Sequence, residues 1–107
     1  MELSKACNML QLDATIESLS AERYTPAGVL VTDLTLQHQS EQIEAKMPRQ
    51  VALTLKAIAF DEMAYRLRSV NLQTVYRFDG FLANRGRTQQ VVFHIIRFES
   101  VGNFSQT

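Results

Sequence analysis

The chain of 107 residues has little of what disulfide bonding, membrane insertion or catalysis requires. Cys7 is its one cysteine, which excludes an internal disulfide and a cysteine zinc site and fits a reducing compartment; its expected place is a small, partly buried position on the first strand. No run of about 18 apolar residues occurs and no basic-then-apolar leader opens the chain. Neither a membrane span nor a secretory signal is therefore expected, and the location read from the sequence is cytoplasmic. The two histidines, His38 and His94, stand far apart in no metal-ligand spacing, so no metal is expected; His38 reads as a loop residue and His94 as an ordinary strand residue. Gly28, Gly80, Gly86 and Gly102 are scattered, so there is no phosphate loop and no cofactor is expected. The acidic pair Asp61-Glu62 is better explained as a helix start than as acid/base machinery. With no nucleophile beside a base, no catalytic residue is assigned and the chain does not read as an enzyme.

An excess of charge is missing too, since 11 basic residues balance 11 acidic ones. The distribution is uneven. Residues 1–62 carry five bases against nine acids, a balance of −4, and residues 63–107 carry six arginines against Asp79 and Glu99, a balance of +4. A basic face is compatible with overall neutrality.

What is present is alternation. A hydrophobic content of 46% supports one modest core, so residues 1–107 read as one domain, with its core over about 8–99 and a frayed polar tail over 100–107. Asn8 to Leu19 interleaves polar and apolar residues as a first strand. Thr25-Pro26-Ala27-Gly28 suits a tight turn, because Pro26 pre-sets φ and Gly28 accepts φ > 0. The second strand follows it, with Leu30, Thr32, Leu34 and Leu36 facing a core and Asp33, Thr35 and Gln37 facing water. His38 to Gln42 is polar and aperiodic, which predicts a short hairpin loop. The third strand carries Val51, Leu53 and Leu55, with Pro48 marking a loop or strand edge before it. Ala59 to Leu67 changes to helical spacing, and Asp61 is placed to cap it or enrich its first turn. Thr74 to Asn84 is a fourth strand with Gly80 at its centre, Asn84 to Thr88 a loop, and Gln90 to Glu99 a fifth strand that is apolar on both faces. Phe60, Phe78 and Phe93 are assigned to the core.

Strand, strand, strand, short helix, strand, strand is the order of the oligonucleotide/oligosaccharide-binding (OB) fold. This all-β architecture is a five-stranded Greek-key barrel with one short helix between strands three and four. Single-stranded nucleic acid needs cations along its backbone path and aromatic faces for its bases. Arg85 and Arg87 on the fourth loop, and Lys46, Arg49 and Lys56 along the third strand, are the candidate cations. Tyr24 and Phe81 are the nearest aromatics.

Arg23-Tyr24-Thr25-Pro26-Ala27-Gly28-Val29 resembles the first-hairpin signature of bacterial single-stranded DNA-binding proteins. Across roughly Asn8 to Glu99, including Phe78-Asp79-Gly80-Phe81-Leu82-Ala83 and Phe93-His94-Ile95-Ile96, the chain more closely resembles their shorter relatives, the primosomal replication protein N family. The resemblance implies a dimeric barrel without enzymatic activity that binds single-stranded DNA and connects the restart helicase to later primosome proteins. It implies DNA contacts from Arg85 and Arg87, and from Lys46 and Arg49 near the loop joining strands two and three. The chain departs from the family in giving that loop no aromatic and in its balanced charge. The fifth strand's two apolar faces call for a cover, which a second copy would supply in a homodimer. Two other functional classes remain open: an adaptor barrel that binds proteins with incidental DNA contact, and a cold-shock-like RNA-binding barrel, which needs a denser display of aromatics.

Overall fold

The computed structural model describes residues 6–101, and the expected tail beyond Val101 lies outside them. Six strands, β1 (Leu10–Leu19), β2 (Arg23–Tyr24), β3 (Leu30–Glu44), β4 (Met47–Phe60), β5 (Tyr76–Asn84) and β6 (Val91–Ser100), surround one short helix, α1 (Glu62–Arg66), which runs into a 3-10 turn at Leu67–Ser69. The sheet order is β1-β5-β6-β4-β3-β2, and β1 also pairs with β3, so the sheet closes on itself. Residues Leu10 to Ala14 of β1 pair with β5, while Thr15 to Leu19 pair with β3, across a register shift between Ile16 and Ser18. One parallel contact, Ala57 with Phe93 and Ile58 with His94, joins β4 to β6. This is the OB fold that the element order predicts, with α1 between the third and fourth long strands.

Inside the ring, Ala14, Ile16, Leu34, Leu36, Phe78, Phe93 and Phe98 form the main core with Leu67 from the 3-10 turn. The turn before β3 is closed by the Gly28 amide donating to the Thr25 carbonyl at 2.8 Å, with Gly28 at φ 87°. Gly80 serves a different need. The register shifts between Asp79 and Gly80 on β5, and a Cβ there would collide with the His94 carbonyl and the Phe93 ring, so only glycine lets β5 lie this close to β6.

Several expectations are corrected. His38 to Gln42 is not a loop: β3 continues to Glu44, and β4 starts at Met47, paired residue for residue around a two-residue turn at Ala45-Lys46. Both turn residues have positive φ, 54° and 67°, the geometry that suits the right-handed twist of a tight hairpin. Residues 41–50 are all exposed, so the end of this hairpin is an arm projecting roughly 14 Å, at about 3.4 Å per residue over Glu41 to Glu44. Because both arm strands are edges, Pro48 is tolerated opposite Ile43. His38 is a half-buried strand residue whose Nδ1 donates to the Asp13 carbonyl at 2.6 Å, where β1 and β3 part. Cys7 precedes β1 and is exposed. Asp61 makes no side-chain cap hydrogen bond; it turns the chain at φ 57°, and its amide donates to the Leu30 carbonyl.

The outward faces of β3 and β6 are also less open than alternation implies. Val31, Ile58 and Val92 bury one another in a second small cluster, which leaves Val91 and Ile96 as the exposed apolar residues of β6. Phe60 is 40% exposed rather than core.

Gly80→Ala is expected to cost on the order of 3 kcal/mol or to prevent folding, because the clash is with backbone. Gly28→Val is expected to cost about 1–3 kcal/mol, and Gly28→Asn less, because strain at positive φ is the only obstacle there. Denaturant unfolding measures both; equal stability of the two Gly28 variants, or a neutral Gly80→Ala, contradicts this account.

Candidate nucleic-acid interface

Period-two geometry decides which side chains share the outward face of β3 and β4. Asp33, Thr35 and Gln37 pair with Ile58, Lys56 and Thr54, so all six project to the side opposite Leu34 and Leu36. Thr35 is nevertheless buried, because Lys56 reaches across it and its Nζ donates to Thr35 Oγ1 at 3.2 Å.

Two arginines converge on this face from different connections. Arg23, on β2, donates Nε to Asp33 Oδ2 at 3.0 Å, and Arg85, just after β5, donates Nη2 to Asp33 Oδ1 at 3.3 Å. Arg85 therefore does not stand free in solvent, as a loop-tip arginine is expected to. Beside this pair lies a hollow of 240 Å³ whose lining includes Arg23, Arg85, Ile58, Phe60, Val92 and His94.

The aromatic rings continue the face across the next strands. Phe81 on β5 stacks on His94 of β6, with ring centroids 4.8 Å apart and planes at 12°; Phe60 at the end of β4 lies near-parallel to the same imidazole at 5.9 Å and 18°. Both phenyl rings are partly exposed, 37% for Phe81 and 40% for Phe60, while the faces they turn to His94 are covered by the stack. Burial first, and the nearby positive charge of Arg85 second, hold the His94 imidazole below its ordinary pKa.

The other expected site residues are distributed along this surface and beyond it. Tyr24 is exposed on β2 beside Arg23. Arg87 lies in the β5–β6 connection and makes no ion pair among the described residues. Lys46 forms the tip of the arm, and Arg49 is held by Glu44 on the same arm. Arg85, Lys56, Arg23 and Tyr24 thus sit around the first part of β3, Leu30 to Thr35, whereas Lys46 and Arg49 stand out along the ribbon. Alternation and the pairing of β3 with β4 are signals that put Asp33 and Lys56 on one face. Phe60 and His94 gave no such signal, because an aromatic next to an apolar run and a lone histidine both fit a core.

The expected basic face does not follow from the charge asymmetry. Arg68 pairs with Glu22, Arg77 with Asp13, Arg85 with Asp33 and Arg97 with Asp79. Three of the six arginines of the C-terminal half are thereby paired with acids of the N-terminal half, and Arg97 with an acid of its own half. The Arg77 guanidinium, donating at 2.7 and 3.0 Å, holds the Asp13 carboxyl below its usual range. Among the described residues no three His, Cys, Asp or Glu side chains gather as a metal site requires. Local cations beside stacked rings can follow a flexible polyanion and take up its flat bases.

A protein-family model described as another single-strand binding protein family matches residues 8–97. Replication restart protein PriB of Bordetella pertussis is 42% identical over 76 residues, 71% of each chain. PriB of Nitrosomonas europaea is 33% identical over 89 residues, 82% of each chain. Among solved structures, PriB from Ralstonia solanacearum superposes with a TM-score of 0.82 at 37% identity, over 89% of this chain and 98% of that one. A deletion mutant of the single-stranded DNA binding protein from Thermus aquaticus, at a TM-score of 0.71 and 16% identity over 94% of this chain and 53% of that one, shares the fold.

Because His94 binds its proton less readily folded than unfolded, the unfolded state takes up more protons as pH falls. The stability that neutral His94 contributes is full above its ordinary value near 6.5 and is lost as pH falls through its lowered folded pKa. The expected result is a lower Tm at about pH 5.5 than at pH 7, with a smaller drop in His94→Gln. Parallel pH profiles for the two proteins contradict it.

Proposed function

Because the chain belongs to the PriB replication restart proteins of the single-strand binding protein family, we propose that it binds single-stranded DNA on the outward face of β3, β4, β6 and β5. In this reading it is an accessory protein without catalytic activity, one that links DNA to the restart helicase and other primosome proteins in the cytoplasm. The observation that carries the reading is the hollow where Arg23 and Arg85 meet Phe60 and His94, since it puts phosphate donors and ring faces within one short stretch of strand. Backbone phosphates would follow Arg85, Arg87 and Lys56, while bases stack on Tyr24 and on the Phe60–His94–Phe81 row. Lys46 and Arg49 extend the path along the arm.

The adaptor reading draws on the arm itself. Ile43 and Met47 are 71% and 64% exposed near its tip, beside Pro48, which gives a protein partner apolar side chains to cover. The proposed homodimer draws on an adjoining patch, where Met9 and Ile96 line a hollow of 630 Å³ with Arg97 and with Phe81 at the end of the ring row. Sedimentation at micromolar concentration is expected to give a mass of about 24 kDa, two chains of 12.2 kDa, and the mass of one chain contradicts the dimer.

Each phosphate contact contributes about 0.7 to the slope of log affinity against log salt for single strands. Arg85→Ala combined with Arg87→Ala is expected to weaken oligo-dT binding and flatten that slope by about one unit or more per dimer, with the circular dichroism spectrum unchanged. If affinity and slope both persist, the β5–β6 connection is not the DNA contact and the adaptor reading is favoured.

A further inference from the structure

We propose that Asp33 occupies, in the free protein, the seat that a DNA phosphate takes in the complex, and that single-stranded DNA binds by exchanging a phosphodiester for this carboxylate. The proposal rests on the reading that this face takes single-stranded DNA.

Asp33 lies near the start of β3, on the outward face, with its side chain 22% exposed. Its two oxygens receive donors from two different connections: Arg23 on the β1–β3 side and Arg85 on the β5–β6 side. A carboxylate and a phosphodiester make the same offer to guanidinium groups, two anionic oxygens in a fixed relation, so a fork of donors built for one accepts the other. The two bonds are unequal. At 3.0 Å the Arg23 contact is close to a usual charge-assisted hydrogen bond, whereas 3.3 Å for Arg85 is well beyond the usual length of about 2.7–2.9 Å.

A second hollow, of 280 Å³, borders the same carboxylate and is lined by Asp33, Thr35, Lys56, Arg85, Ser20 and Gln90. Lys56 donates there to a hydroxyl, not to an acid. Arg23, Arg85 and Lys56 together exceed the one carboxylate among them, so the seat stays electropositive while Asp33 fills it. An isolated phosphate must compete with a tethered carboxylate, whose effective concentration on a short tether is on the order of millimolar. A strand carrying many phosphates overcomes that competition through its other contacts. Asp33 thereby favours polymers over single nucleotides and keeps Arg23 and Arg85 together until DNA arrives.

The test compares the wild type, Asp33→Asn, Asp33→Ser and Asp13→Asn by fluorescence anisotropy with labelled oligo-dT between about 50 and 300 mM salt, and by calorimetry with inorganic tripolyphosphate. Asp13→Asn makes the same charge change and releases Arg77 on another part of the sheet. Both Asp33 variants are expected to bind oligo-dT about three- to fivefold more tightly, the range set by releasing a partly exposed ion pair, with a salt slope steeper by about 0.7. Asp13→Asn is expected to change neither by as much as about twofold. Unchanged or weaker binding by the Asp33 variants overturns the proposal and makes Asp33 a brace for the arginines; an equal gain in Asp13→Asn overturns it in favour of net charge. Should the wild type and every variant fail to bind oligo-dT, the DNA reading itself fails. The exchange is then decided by tripolyphosphate, which the Asp33 variants must bind more tightly than the wild type does.

Discussion

Strand β1 has to serve two neighbours, and the rest of the molecule depends on that division. Its first half hydrogen-bonds to β5 and its second half to β3, which turns an open meander into a closed ring with the short parallel contact of β4 and β6 on the far side. Closure protects the strand edges that would otherwise template aggregation. It also forces β5 and β6 so close at Gly80 that no side chain fits between them. Phe81 faces outward by alternation from Phe78, and the register shift, which skips Ile96 on β6, puts His94 outward opposite it, while Phe78, Phe93 and Phe98 stay inside. One geometric requirement thus supplies both the core and the row of surface rings.

Charge is arranged so that no long-range field is built. Arginines late in the chain meet acids early in the chain across the ring, at Glu22, Asp13 and Asp33. These pairs are partly exposed, so solvent screens them and each adds little to the stability of the fold; their larger effect is on what the surface presents to a ligand. Recognition by such a surface relies on a few local donors and on stacking, not on electrostatic steering from a distance. The cluster around Asp33 is where donors from two connections and a strand meet, and the stacked rings lie next to it.

How much of this could be read from the residues follows from what each signal rests on. Alternation along Leu30 to Leu36, the Thr25 to Gly28 turn and the existence of a short helix before Leu67 are legible because burial and turn geometry leave marks on composition, although the expected change of period at Ala59 comes early, since β4 runs on to Phe60 and the helix starts at Glu62. The arm is not legible. It buries little, so it has no apolar alternation, and its turn uses Ala45 and Lys46 at positive φ where an Asn-Gly pair would have announced a hairpin. Phe60 and His94 leave no comparable mark: His94 faces outward because of how β5 meets β6, and Phe60 is exposed at the end of β4 where the chain turns at Asp61, both tertiary facts. The Arg23–Asp33–Arg85 contact joins residues from three elements and had no local trace. Arg85 and Lys56 were named as ligand contacts on sequence grounds, and their convergence around one carboxylate came only with the fold.

The central claim is that single-stranded DNA lies along the outward face from Arg23 and Arg85 to the Phe60–His94–Phe81 row. Amide chemical-shift mapping on the labelled protein during an oligo-dT titration tests it directly. The account predicts the largest shifts at Arg23, Thr35, Lys56, Phe60, His94 and Arg85, with small ones at Ala14, Phe78 and Phe98 inside the ring. Shifts centred on Met9, Asp79 and Arg97, with the Asp33 cluster unmoved, would contradict it.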